Sequence, residues 1–469
     1  MSRRLLLTLP VLLAACSDRP SFDPDVVRAA PLGKGLPAGF MLGTSTAAHQ
    51  VEGGNQNDWT VWERGQWPDG RPHIKDGSVS GAATDSWNRF DEDVRLMEKL
   101  GANAYRFSVE WARIQPTPDT WDEAALARYQ QWARTLRQKG ITPLVTLYHF
   151  TLPTWVMDAG GWENPATLEL FEAYVAHVAE ALGGDVDWWC TINEPNVYAV
   201  LGYLNAEWPP GKQDMKATAT VLANLIEAHA RAARQLRARD TVDADGDGFA
   251  TRIGLAHHVR VFQPATGSTA DITVAALTDA FFNESVPEAL RTGRIHLSVP
   301  GQVTLDREVE GLKGSIDYFG INYYTRDYVR QYLGEPALSR QYVPRGRERN
   351  DLGWELYPEG LYLFLMRYAK FGLPLIVTEN GMADRSGEQR PYYLQSHVYA
   401  VEQALAQGAD VRGYFHWSLL DNFEWAEGYT PKFGLFSVDL ESPEKTRTET
   451  PAVATFQEIA RNLGLTPNP

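Results

Sequence analysis

Short apolar runs alternate along this chain with longer stretches whose apolar residues recur three and four apart, the signature of an amphipathic helix. The short runs predict strands at 40–49, 104–111, 142–149, 187–194, 252–258, 316–324, 373–379 and 411–418. Between them the helical pattern covers, for example, 90–100, 122–139, 167–182 and 217–239, and Gly101 and Gly140 stand where a helix C-terminus favours glycine. Eight strands, each followed by a helix, predict an α/β fold, a (β/α)₈ TIM barrel. No Pro/Ser-rich linker divides the chain after residue 36, so 37–465 reads as a single domain. The inserts at 50–84 and 325–353 are expected as loops over the carboxyl ends of the strands. Gln50, Arg106, His149, Asn193, Glu194, Asn322, Tyr324, Glu379 and Trp417 all fall at or near those ends. In a barrel of this kind, a polar cluster there is a site.

Two stretches stand out, Thr191-Ile192-Asn193-Glu194-Pro195 and Val377-Thr378-Glu379-Asn380-Gly381. Each ends an apolar, β-branched run with a glutamate followed by strand-stopping residues, which puts a carboxyl at the rim of the sheet. Two facing carboxyls are the minimal equipment for cleaving a glycosidic bond: one protonates the leaving oxygen, the other attacks or supports the sugar carbon. Either glutamate alone is equally well read as an ordinary strand end.

The net charge of −15 leaves no basic stripe for phosphates, which argues against a nucleic-acid partner. The 53 aromatic residues, 11% of the chain, suit a sugar-binding cleft as well as a large core. At the N-terminus, Arg3-Arg4 precedes the 11 apolar-rich residues from Leu5 to Ala15, a span too short to cross a bilayer. It ends Leu13-Ala14-Ala15-Cys16, which resembles a bacterial lipobox, so 1–15 is expected as a signal segment and Cys16 as the lipidated residue; the bland alternative is a secretory signal with a chance cysteine. Ser17 follows, not Asp, which favours the outer membrane, and 16–36, broken by Pro20, Pro24 and Pro31, is expected as a tether. Membrane contact would then be through the lipid alone. The other cysteine, Cys190, has no partner for a disulfide and is expected in the core. Asp243, Asp245 and Asp247 have the spacing of the first half of a calcium loop, but position 12 is Gly254 instead of Glu. A structural calcium ion and a polar surface turn both fit.

Together these residues resemble glycoside hydrolase family 1, the β-glucosidase-type retaining β-glycosidases. The resemblance runs from about Phe40 to the C-terminal helix. It is carried by Phe40-Met41-Leu42-Gly43-Thr44-Ser45-Thr46-Ala47-Ala48-His49-Gln50-Val51-Glu52-Gly53, by Tyr105-Arg106-Phe107-Ser108, by the two glutamate motifs and by the segment from Trp417 to Tyr429. It implies Glu194 as acid/base, Glu379 as nucleophile, Asn193 on the sugar 2-hydroxyl, and Arg106 and Tyr324 hydrogen-bonded to Glu379. Arg106 is expected to keep Glu379 ionised, and Glu194 to start protonated. Gln50, His149, Asn322, Trp417, Glu424 and Trp425 would bind substrate, Glu424 accepting from two hydroxyls at once. Glu424 stands where phospho-glycosidase members carry serine, so an unphosphorylated sugar is expected, a β-glucoside with some β-galactoside or β-fucoside tolerance, cleaved without a cofactor. Transglycosylation from the same glycosyl-enzyme and carbohydrate binding without catalysis are the alternatives. Two positions depart from the family pattern: Phe150 replaces a tryptophan, and Glu110, a serine in many members, is expected as a structural ion-pair partner.

Overall fold

The computed structural model describes residues 19–335 and 337–468; the signal segment and Cys16 lie outside the described residues. Eight parallel strands close into a barrel: β1 (Met41–Ser45), β2 (Ala104–Ser108), β3 (Thr142–Tyr148), β4 (Trp188–Asn193), β5 (Arg252–Pro264), β6 (Phe319–Gln331), β7 (Leu375–Asn380) and β8 (Val411–Trp417). Each pairs with its neighbours in sequence, and β8 returns to β1, with Met41 opposite Gly413 and Ser45 opposite Trp417. Every predicted strand is present.

The barrel interior is a core of its own. Met41, Ala104, Leu144, Trp188, Cys190, Ala256, Ile376 and Phe415 meet there with Tyr318, one layer contributed from around the ring. Cys190 is fully buried in it, as expected of a packing residue. The outer core lies between the strands and the surrounding helices. These include α1 (Pro24–Ala29), α2 (Ser86–Leu100), α3 (Glu123–Gln138), α4 (Ala166–Leu182), α5 (Pro195–Tyr203), α6 (Met215–Arg239), α7 (Thr269–Asp279), α8 (Pro358–Tyr368) and α9 (Arg390–Ala406). Gly101 ends α2 at φ +73°, the left-handed conformation that a C-terminal glycine adopts without strain.

Two expectations are corrected. The segment 16–36 was expected as a tether, yet its described part is folded from Phe22 onward. Phe22 packs on Tyr362 of α8 and Tyr399 of α9, and Val27, Leu32 and Leu36 are buried. Asp23 caps α1 through its side chain. Four apolar residues spaced through a polar stretch are enough to pin it to the barrel wall. The insert 325–353 is likewise not all loop: β6 runs on to Gln331, well past the predicted end, and pairs with an equally long β5 out to Pro264–Val329, then with the strand Ser339–Tyr342. Mutual pairing satisfies backbone groups that leave the barrel, and the resulting tongue forms one wall of the cleft.

Candidate active site

The carboxyl ends of the strands surround a cleft of about 1080 Å³ lined by His149, Glu194, Tyr324, Glu379, Trp417, Glu424 and Trp425 among others. All eleven predicted catalytic and sugar-binding residues of the barrel lie at this end. Arg106, near the end of β2 and fully buried, organises its floor. Its Nη1 donates to Glu379 Oε1 at 2.5 Å, its Nη2 to Asn193 Oδ1 at 2.6 Å, and its Nε to Thr146 Oγ1 at 3.0 Å. Tyr324 donates its hydroxyl to Glu379 Oε2 at 2.7 Å. Both oxygens of Glu379 are thus held by donors from β2 and β6, which fixes the carboxyl's orientation.

Burial pushes the Glu379 carboxyl up to about 7; Arg106 and the Tyr324 hydroxyl pull it back down, while the charge of Glu194 pushes it up. The guanidinium acts in the expected direction, against the desolvation of a buried carboxyl.

Glu194 follows β4 with φ +42°, in the left-handed region, and Pro195 starts α5 immediately after it. Of eight non-glycine residues with positive φ among the described residues, Phe150, Glu194, Leu338 and Trp425 line the cleft. Such conformations cost about 1–3 kcal/mol each and persist where the surroundings impose them. Asn322 Nδ2 donates to Glu194 Oε1 at 2.8 Å, and its amide orientation is set because Thr378 Oγ1 donates to its Oδ1 at 2.6 Å. His258 Nδ1 lies 2.9 Å from the same Oε1. Both contacts fall on Oε1, so these partners hold one oxygen of the carboxyl.

The polar half of the cleft is built around Asn193 and Gln50. Asn193 Oδ1 is committed to Arg106, so its Nδ2 donates to His149 Nε2 at 3.0 Å. Burial, then the nearby Arg106 charge, holds the His149 imidazole well below its usual range, hence neutral, and the network assigns its proton to Nδ1. Gln50 Nε2 donates to Asn422 Oδ1 at 3.0 Å and Phe423 O at 2.8 Å, which leaves its buried Oε1 free to accept. Trp425 and Trp417 stack near His149, with ring centroids 6.0 Å and 5.9 Å away. Burial, reinforced by Glu379 and Glu427, pushes Glu424 up to about 8. Its Oε2 accepts from Gln50 Nε2 at 3.3 Å.

A buried acid pair at two strand ends, beside a pocket of amide, imidazole and indole groups, can bind a pyranose and cleave at its anomeric carbon. The sequence pattern of glycosyl hydrolase family 1 matches residues 33–465. The chain belongs to glycosyl hydrolase family 1. The β-galactosidase of Pyrococcus woesei is 34% identical, over 92% of this chain and 98% of that one. The β-glucosidase A of Thermotoga maritima is also 34% identical, over 92% and 99%. The solved family 1 β-glucosidase from Thermotoga maritima has a TM-score of 0.83 at 31% identity, covering 93% of this chain and all of that one.

His258, against the Glu194 carboxyl, is a residue of this site that sequence reasoning passed over. It ends the predicted strand 252–258 at the same rim as the others, and that position was the available signal. Phe150, at the departure from the family pattern, is buried at φ +73° and meets Trp208 and Trp425 edge-on, with centroids 4.7 Å and 5.2 Å away. Glu110 makes no ion pair among the described residues, contrary to expectation: it is buried and accepts from Thr151 Oγ1 at 3.0 Å. The carboxylates of Asp243, Asp245 and Asp247 lie within 4.8 Å of one another in an exposed turn. They sit before β5, at the end of the barrel away from the cleft. Asp243 accepts from the backbone N–H groups of Gly246 and Gly248, and Asp247 pairs with Arg252 at 2.6 Å. Backbone donors and an arginine thus already occupy much of this acidic turn.

Proposed function

We propose that this family 1 glycosidase is an exo-acting, retaining β-glucosidase, with Glu379 as nucleophile and Glu194 as acid/base. The observation that carries the reading is the different hold on the two carboxyls: both oxygens of Glu379 are clamped for attack, whereas only one oxygen of Glu194 is. Glu379 attacks the anomeric carbon as the bond to the leaving oxygen breaks, and Glu194 gives that oxygen its proton. Water then adds to the same carbon, Glu194 takes the water's proton, and Glu379 leaves. Two displacements return the β-anomer. Asn193 would meet the 2-hydroxyl, and Gln50, His149 and Glu424 the remaining hydroxyls over Trp417 and Trp425. Relatives named β-glucosidase A and 1,4-β-D-glucan glucohydrolase favour glucose; a relative named β-galactosidase supports tolerance at the 4-hydroxyl. A panel of nitrophenyl glycosides, with product anomers followed by NMR, tests this. β-Glucoside cleavage with β-glucose appearing first is the expected result; α-glucose first, or silence from folded protein, would overturn it.

The attack needs ionised Glu379. With its pKa raised to about 7, the ionised form is gained as pH rises through about 7 and lost as pH falls. The acid limb of the kcat/KM profile is therefore expected near pH 7. Tyr324→Phe removes a donor that lowers this pKa, so the limb should move to higher pH. A limb unmoved, or moved down, would contradict the assignment.

His258 is expected to hold Glu194 for proton donation. His258→Leu should lower kcat/KM by about tenfold for a phenyl β-glucoside and less than about twofold for the dinitrophenyl one, whose leaving group needs no proton. His258→Asn, which keeps a donor, should restore much of the loss. Equal losses on both substrates would reduce His258 to a packing residue.

We further propose an exported lipoprotein anchored through Cys16, supported by the Arg3-Arg4, apolar and Leu13-Ala14-Ala15-Cys16 pattern. No helix among the described residues is long and apolar enough to cross a membrane. Cys16→Ser should shift the protein from the membrane pellet to the soluble fraction; unchanged pelleting rejects the anchor.

A further inference from the structure

The cleft does not stop at Glu194, and its chemistry changes there. The inner half presents Gln50, His149, Asn193 and Glu424. Beyond Glu194 the wall is α5, whose Val197 and Leu201 line the cleft four residues apart, hence from one helical face, with Leu204 joining them just past the helix end. Opposite stand Phe281 and Phe282, in the π-helical turn Ala280–Glu284 that follows α7. Phe282 meets the edge of His258, centroids 5.7 Å apart, so this apolar wall begins directly beside Glu194.

At the mouth, Leu277 and Tyr342 are 39% and 41% exposed, two of only ten large apolar side chains so exposed among the described residues. The two arginines of the outer half are each paired: Arg260 donates to Asp327 at 2.8 Å and Arg340 to Glu335 at 3.3 Å. A second sugar needs convergent donors and acceptors, as the inner half supplies. A wall of apolar side chains with both its arginines already paired supplies few, and exposed apolar surface running into a cleft marks a binding groove.

We infer that the outer half of the cleft binds a large apolar aglycone, a long alkyl chain or fused hydrocarbon rings, in preference to a second sugar. This rests on the proposed β-glucosidase activity and names its substrate class.

The test compares methyl, butyl, hexyl and octyl β-glucosides with cellobiose on the full chain, with 4-nitrophenyl β-glucoside as the activity control. Butanol, hexanol and octanol are near-identical leaving groups, so differences among their glucosides report contact with the cleft. We expect kcat/KM to rise by about twofold per methylene, a partial share of what full burial gives, and octyl β-glucoside to exceed cellobiose at least tenfold. Leu201→Asn combined with Leu204→Asn should flatten the series, with an unchanged melting temperature showing that the protein still folds. A flat series, or preference for cellobiose, in protein that cleaves the nitrophenyl glucoside overturns this inference alone. An equally steep series in the double variant overturns the assigned wall. If the nitrophenyl glucoside is not cleaved, the β-glucosidase reading fails first.

Discussion

Glu379→Ala is expected to lower kcat by about five orders of magnitude, the scale on which enzymes lose a covalent nucleophile. The geometry makes the loss specific. Arg106 and Tyr324 would remain, aimed at a carboxyl no longer there, and nothing else in that position can form the glycosyl-enzyme. Removing one partner of a buried ion pair leaves the Arg106 guanidinium without its counter-charge, so the variant should melt below the parent while still folding. A cooperative melting transition, lowered but present, with turnover abolished is the expected pair of results. Near-normal turnover would remove Glu379 from the chemistry.

Glu194→Ala is expected to act through the leaving group. For a phenyl β-glucoside, kcat/KM should fall by about a thousandfold, the scale of a lost general acid. A dinitrophenyl glucoside leaves without a proton and should form the glycosyl-enzyme at close to the parent rate, then stall because no base activates water. Azide needs no base. It should restore turnover by entering the space left by the carboxyl, on the face opposite Glu379, and the product should be the β-glycosyl azide, because two inversions still occur. No rescue, or an α-azide product, would count against the assignment.

The catalytic pair was legible in the sequence because each glutamate closes an apolar β-branched run and is followed by residues that cannot continue a strand. The eight-fold alternation of runs and helical patterns likewise determined the barrel, since a parallel strand needs a crossover before the next. Where strands end was less legible. β5 and β6 run on beyond the barrel because each is the other's partner, a long-range fact that no local pattern carries. The segment from Phe22 to Leu36 reads as polar, yet a few well-spaced apolar residues dock it, which depends on the helix faces they meet.

What the sequence by itself determined is the kind of chemistry and the scaffold that carries it: local rules of strand, turn and helix place carboxyls at strand ends. What only the tertiary structure decided is the state of those groups and the shape around them. Glu379 and Glu424 carry raised pKa values because residues distant in sequence exclude water from them. His258 reaches Glu194 because β5 lies beside β4. The apolar half of the cleft is assembled from α5, the turn after α7 and the strand bearing Tyr342, segments that meet only in the folded chain. Burial and proximity are properties of the whole packing, and a pattern read a few residues at a time does not contain them.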